Sequence, residues 1–233
     1  MLQLADRAFG KFIIADQNYF CEIKMSNTKM EQHIKLTKGA MSILNVAESL
    51  FAKKGFKATS ISEIAKYTGV SKANVYHHFK SKEHLYQKAI ELACERIFNA
   101  MELSNVNPSE DPKIRLKEYL QIHLKSMLEQ PVSTNLIKRE LMDNNQIDGK
   151  IIAKDIFTNT FEKVASLVFD AHKIENNSQN INASLQACML IGMNVFFFDS
   201  QSVMRYLPGL SSIADSPEVF SNKMFDFIMN TDS

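Results

Sequence analysis

Apolar residues recur at three- and four-residue intervals along most of this chain, and that spacing limits its fold more than any other feature. No stretch alternates apolar and polar residues for long enough to propose a strand. Glycine and proline, which interrupt helices, number only 7 and 5 in 233 residues. The chain therefore reads as all-α. A first helix is predicted over 35–54, with Leu36, Ala40, Ile43, Ala47, Leu50 and Phe51 recurring along it, and Gly55 stands where a left-handed C-terminal cap belongs. Ser60-Ile-Ser-Glu63 has the form of a capping box, in which Ser60 accepts from a backbone N–H and Glu63 reaches back. A short helix then runs to Tyr67 and breaks at Thr68-Gly69-Val70.

Ser71 caps a third helix over 72–79, and Ser81 caps a fourth that runs to about residue 103. Residues 107–112 form the clearest linker, with Asp111 as cap and Pro112 at the first helical position of the next helix. Further helices are predicted over 112–130, 132–144, 149–174, 179–206 and 217–230, about nine in all. Residues 1–30 show no capped periodic helix and carry further methionines at Met25 and Met30; a disordered arm or a mis-assigned start is expected there. The predicted organisation is a three-helix domain over 31–85 and a larger helical domain over 86–233.

Charge separates these two parts. Residues 31–88 hold ten Lys against Glu31, Glu48, Glu63 and Glu83, a local net of +6, whereas residues 89–233 carry a net of −6. Such asymmetry fits a module that meets phosphate joined to one that does not. Cys21, Cys94 and Cys188 lie too far apart for a metal cluster and fit free thiols; Cys94 and Cys188 are expected to be small buried hydrophobes. The apolar stretch around Val195–Phe198 is far short of the ~20 residues that span a bilayer. The first residues lack the order of a signal peptide. A cytoplasmic protein without a membrane partner is expected.

The segment TSISEIAKYTGVSKANVYHHFKSKEHLY has the makings of a helix-turn-helix. Ile61, Ile64, Ala65, Val70, Val75 and Phe79 supply an apolar skeleton, and Gly69 sits where the turn needs positive φ. The residues left pointing outward are Ser71, Lys72, Asn74, Tyr76, His77, His78, Lys80 and Lys82. Each can hydrogen-bond to a phosphate or a base edge, and none is acidic. Lys72 has the donor for guanine O6 or N7, and Asn74 the pair of groups that matches adenine N6 and N7.

At AESLFAKKGF, Thr59-Ser60, ISEIAKYTGV and SKANVYHHFKSKEHL the chain resembles the TetR family of regulators, over about residues 36–85. The resemblance implies that Tyr76, Lys82 and Thr59 hold phosphates, that Lys72, Asn74 and His77 face bases or their phosphates, and that His78 packs under the reading helix. Asn74 departs from the Thr or Gly more usual there. The resemblance also implies a helical C-terminal domain for ligand binding and dimerisation, the last two long helices forming a four-helix bundle with those of a second copy.

In the C-terminal half, the helix predicted over 179–206 has little polar surface in its first part, and a subunit partner is its expected cover. Phe197 is the expected centre of that interface. Tyr119, His123, Met127, Phe157, Phe161, Met189 and Met193 are candidates to line a ligand cavity, or else ordinary core. Lys138-Arg139-Glu140 and Asp143 form either a solvated helix surface or, by the resemblance, part of the route from ligand to DNA-binding domain. No nucleophile–base–orienter set, glycine-rich phosphate loop or metal cluster is present, so neither an enzyme nor a cofactor is expected. The function expected is a repressor that leaves a palindromic operator when a small molecule binds. Control by a protein partner is the alternative, and a helical enzyme a remote one.

Overall fold

The computed structural model describes residues 36–102, 111–142, 153, 157–173 and 183–229. Among them there are ten helices and no strand. The chain divides between Met41 and Ser42 into two compact units, and the packing below is that of the second. The expected arm over 1–30 lies outside the described residues, as do Cys21 and Asp143.

Helix α1 runs Lys38–Ala58 and α2 Ile61–Thr68. Thr37 Oγ1 accepts from the Ala40 N–H at the start of α1. Gly55 interrupts the helix with φ 79 and ψ 169, a combination open essentially to glycine alone, and one further turn follows. Ser60 caps α2 by accepting from Glu63 N–H at 3.1 Å. The other half of the expected capping box is not the contact made: the Glu63 carboxylate instead pairs with Lys54 of α1. Gly69 ends α2 in the left-handed conformation. Helix α3 is Lys72–His78, capped by Ser71, and α4 is Lys82–Glu102, whose His84 N–H donates to Ser81 Oγ at 3.1 Å.

Beyond the linker come α5 Pro112–Glu129, α6 Pro131–Met142, α7 Thr158–Lys173 and α8 Ala183–Met204. A four-residue helix, α9 Ser211–Ala214, precedes α10 Pro217–Met229; α9 was not anticipated, because its single turn is too short to show periodicity. Leu116 and Leu120 of α5, Val164 and Val168 of α7, Leu190 of α8 and Phe225 of α10 share one core. Leu124, Phe197, Met204, Ala214 and Phe220 form a second.

By length and composition α8 is long and apolar enough to cross a membrane, which counting uninterrupted apolar residues did not reveal. Its polar residues, however, are engaged by neighbouring helices. Asn194 Nδ2 donates to Leu120 O at 3.0 Å, Gln201 Nε2 to Ala214 O at 2.9 Å, Gln186 lies 3.0 Å from His172 Nε2, and Asp199 pairs with Lys138. That is the arrangement of a helix packed in protein.

A buried carboxylate fastens α1 to α4 and α6. Glu48 of α1 has no exposed surface, and it accepts from Arg96 of α4 and from Ser133 Oγ of α6, each at 2.6 Å. Arg96 also donates to Asn45 Oδ1 at 2.7 Å. Arg96→Ala should strand this carboxylate and cost about 3 kcal/mol of stability. Replacing both partners together (Glu48→Leu with Arg96→Met) should recover most of that in urea titrations. A single substitution that costs almost nothing would show that Ser133 alone satisfies Glu48.

Candidate nucleic-acid interface

Of the expected apolar skeleton of α2 and α3, Ile61, Ile64, Ala65, Val75 and Phe79 are buried, whereas Val70, in the turn, is half-buried. Val75 is the one buried residue of α3 and His78 is half-buried, while the rest of that short helix faces solvent. Ser71, Lys72, Asn74, Tyr76 and His77 are exposed on it, and Lys80 follows in the turn. Ser60 is exposed at the start of α2. The Ser60 and Ser71 oxygens already accept from the backbone of Glu63 and Asn74, which leaves each hydroxyl proton available to donate. His78 is half-buried, its ring 6.4 Å from that of Phe79 and 5.2 Å from that of His77.

One expected phosphate contact is corrected. Thr59 is buried, and its hydroxyl donates inward to Gly55 O at 2.8 Å, with Leu50 O at 3.3 Å. The side chain closes the kinked end of α1, so its hydroxyl is not presented to a ligand.

Lys82, at the start of α4, is half-buried, with Nζ 4.2 Å from the centroid of Phe56. Burial pushes its pKa below the ordinary lysine value, Glu83 opposing that shift. The carboxyl of Glu83 sits below its usual range, because it accepts hydrogen bonds from its own backbone N–H and from Ser81. The turn before α4 is fixed by His84, whose Nδ1 accepts from Lys80 N–H at 3.3 Å. Neither Phe56 nor His84 was singled out in the sequence, since both act on neighbours rather than on the outer surface.

The ligand candidates divide. Tyr119, Phe161 and Met193 pack against one shared core cluster, and Met127 is buried on α5. His123 lies deep between α5 and α8, its Nδ1 3.1 Å from Asn194 Nδ2. Burial drives its pKa down to about 4, so it is neutral at pH 7. Phe157 is half-buried ahead of α7. Met189 is exposed on the outer side of α8 and does not join the others. A surface cleft of 460 Å³ lies elsewhere, between α5 and the start of α10, lined by Gln121, Lys125, Asp215 and Glu218 among others. Of the cysteines, Cys94 is held near α4's buried face, where burial raises its thiol to about 12. Cys188 is exposed, contrary to expectation, because it falls on the outward side of α8.

The geometry is that of a helix-turn-helix module with a basic, acid-poor reading face on an all-helical body. Residues 43–89 match the family model for bacterial regulatory proteins of the tetR family. The chain is 30% identical over 166 residues to the HTH-type transcriptional regulator YerO of Bacillus subtilis, an alignment covering 68% of this chain and 56% of that protein. It is 46% identical over 50 residues to the HTH-type transcriptional regulator QacR of Staphylococcus aureus, covering 22% of this chain and 27% of that one. The chain thus spans little more than half the length of the first relative and about a quarter of the second. Among solved structures, the TetR family regulator PfmR of Thermus thermophilus superposes with a TM-score of 0.61 at 21% identity, over 84% of this chain and 97% of that one. A tetR family regulatory protein from Rhodococcus gives 0.65 at 20% identity, over 83% and 96%. Residues 43–89 thus form a helix-turn-helix segment of the tetR type. The relatives named here are regulators, not enzymes.

Asn74→Ala should relax the preference for one base pair per half-site and cost ~1–3 kcal/mol on the selected sequence, with little change on random DNA. Competition binding against single-base variants of that sequence checks it. Equal weakening on every duplex would mean that Asn74 reads no base.

Proposed function

We propose that the chain is a transcriptional repressor that binds a two-fold operator as a homodimer and leaves it when a small molecule binds the helical body. The observation that carries the DNA-binding part is the face of α3, where Lys72, Asn74, Tyr76 and His77 stand outward over a single buried valine. Such a face supplies both phosphate and base-edge partners on an element slim enough for the major groove.

Support for a homodimer lies on the outer side of α8. Leu185, Met189, Phe196 and Val203 are all exposed there, in three- and four-residue steps broken by Gly192 and Asp199, and Val219 and Phe227 of α10 are exposed as well. An apolar stripe along two helices asks for cover, and a second copy offers the same stripe in return. Two reading helices then meet successive major grooves about 34–36 Å apart.

Exposure favours a different phenylalanine for that face from the one expected. Phe197 was the expected interface residue, but it has no exposed surface, and its ring lies 4.4 Å from Phe220 inside the subunit's own core. Phe196 is 51% exposed. One helical residue step turns a side chain by about 100°, which separates the two roles.

Support for effector control comes from α6. Lys138 pairs with Asp199 of α8, and Arg139 donates to the Ala52 and Lys53 carbonyls just before the Gly55 kink of α1 at 3.2 and 3.4 Å. Glu140 accepts from Tyr86 of α4 at 2.7 Å. A shift of α6 caused by a bound molecule has direct hold of the helices that carry α3. Tyr119, His123, Met127, Phe161 and Met193 are the residues we assign to the effector's surroundings, with Phe157 at their margin.

Phe196→Glu should give a helical monomer by light scattering and circular dichroism, with the affinity for a two-fold site reduced to that for a half-site. Phe197→Glu should instead destabilise the fold by several kcal/mol, since it buries an unpaired charge. If Phe196→Glu remains a dimer, the assembly uses another face.

A further inference from the structure

We infer that Phe56 is a positioning residue for the DNA grip: its ring holds the Lys82 ammonium in place for a backbone phosphate, and Tyr86 and Glu140 hold the ring. The inference rests on the reading of Lys82 as a phosphate contact. It adds to that reading a second residue, behind Lys82 rather than on α3, on which the contact depends.

Lys82 Nζ lies 4.2 Å from the Phe56 centroid, well within the reach at which a ring face attracts a cation. A lysine in open solvent spreads its charge over many rotamers, and a phosphate must gather them before it can be bound. An ammonium already resting on a ring has fewer to lose, and two or three of its N–H donors still point away from the ring. The lowered pKa of Lys82 fits an ammonium that has lost part of its water to this contact.

The ring itself is not free to move. Phe56 stands edge-on to Tyr86 at 5.1 Å and 67°, and Tyr86 stands edge-on to Phe51 at 4.9 Å and 88°. Phe51 and Tyr86 are buried. Tyr86 Oη donates to Glu140 Oε2 at 2.7 Å, and that carboxylate is buried on α6. Three side chains, Glu140 of α6, Tyr86 of α4 and Phe56 of α1, thus lead from the helical body to a lysine at the DNA-facing turn, all within one subunit. A movement of α6 therefore has a path to the strength of the phosphate contact itself, separate from any change in the spacing of two reading helices.

The test is a double-mutant cycle on a fluorescein-labelled duplex of random sequence, followed across a salt series by anisotropy. Lys82→Ala should weaken binding and lower the slope of log K against log salt by about one unit. Phe56→Leu should weaken binding roughly two- to five-fold while Lys82 is present. The same change should add nothing in the Lys82→Ala background, and Phe56→Tyr should bind like the wild type. Equal weakening by Phe56→Leu in both backgrounds would overturn the proposal, as would no weakening in either. An unchanged slope for Lys82→Ala would instead remove Lys82 from the phosphate contacts, and the proposal with it. Because Phe56→Leu also touches the core, the unsubstituted protein supplies an independent check. The Lys82 Cε protons should resonate upfield of the ordinary lysine position through the ring current of Phe56, and ordinary shifts would overturn the proposal.

Discussion

Glu48 has no contact with solvent, and a carboxylate withdrawn from water must be paired where it lies or be protonated. Its pairing obliges three helices to meet: α1 brings the carboxylate, α4 the Arg96 guanidinium and α6 the Ser133 hydroxyl. Helix α1 is thereby attached to α4 and α6 by directed bonds. Arg139 adds a second attachment at the carbonyls just before the Gly55 kink of α1, and Glu140 a third through Tyr86. All three attachments use α6. That helix is consequently the element whose position sets where α3 stands.

The reading unit itself needs little from the rest of the molecule. Serine caps start α2 and α3, a left-handed glycine separates them, and five buried side chains pin one against the other. What remains on α3 is a surface of donors and acceptors without a carboxylate. The electrostatics follow from the same economy. Glu63 is engaged with Lys54, and Glu83 turns onto its own backbone and Ser81, so the acidic residues of the segment are occupied close to the main chain.

Most of this local architecture was legible in the sequence because it is local. Ser60, Gly69, Ser71 and Asp111 act within four residues of themselves, and each does in the structure what its position predicts. Glu63 shows the limit of that reasoning: the pattern allowed it to reach back, but a lysine nine residues earlier in α1 is the stronger partner. The joints of the body were invisible for a related reason. Arg96 and Glu48 are 48 residues apart, Tyr86 and Glu140 are 54 apart, and Asn194 and Leu120 are 74 apart, distances over which no periodicity carries information. Helix α8 misled in a different way. It is apolar on nearly every side, so its pattern names no inner face, and Phe196, Phe197 and Phe198 could not be ranked before their neighbours were placed. Thr59 is the opposite case: the family resemblance implied a phosphate contact, and the carbonyls freed by the kink at Gly55 claimed its hydroxyl first.

The central claim is that duplex DNA meets the chain at α3 and the turn into α4, and nowhere on the helical body. Hydrogen–deuterium exchange of the full chain, with and without a duplex selected from a random library, measures this directly. The account predicts slower exchange over residues 60–82 on DNA binding, while α7, α8 and α10 keep the rates of the free protein. Slowing confined to the body, with residues 71–82 unchanged, would contradict it.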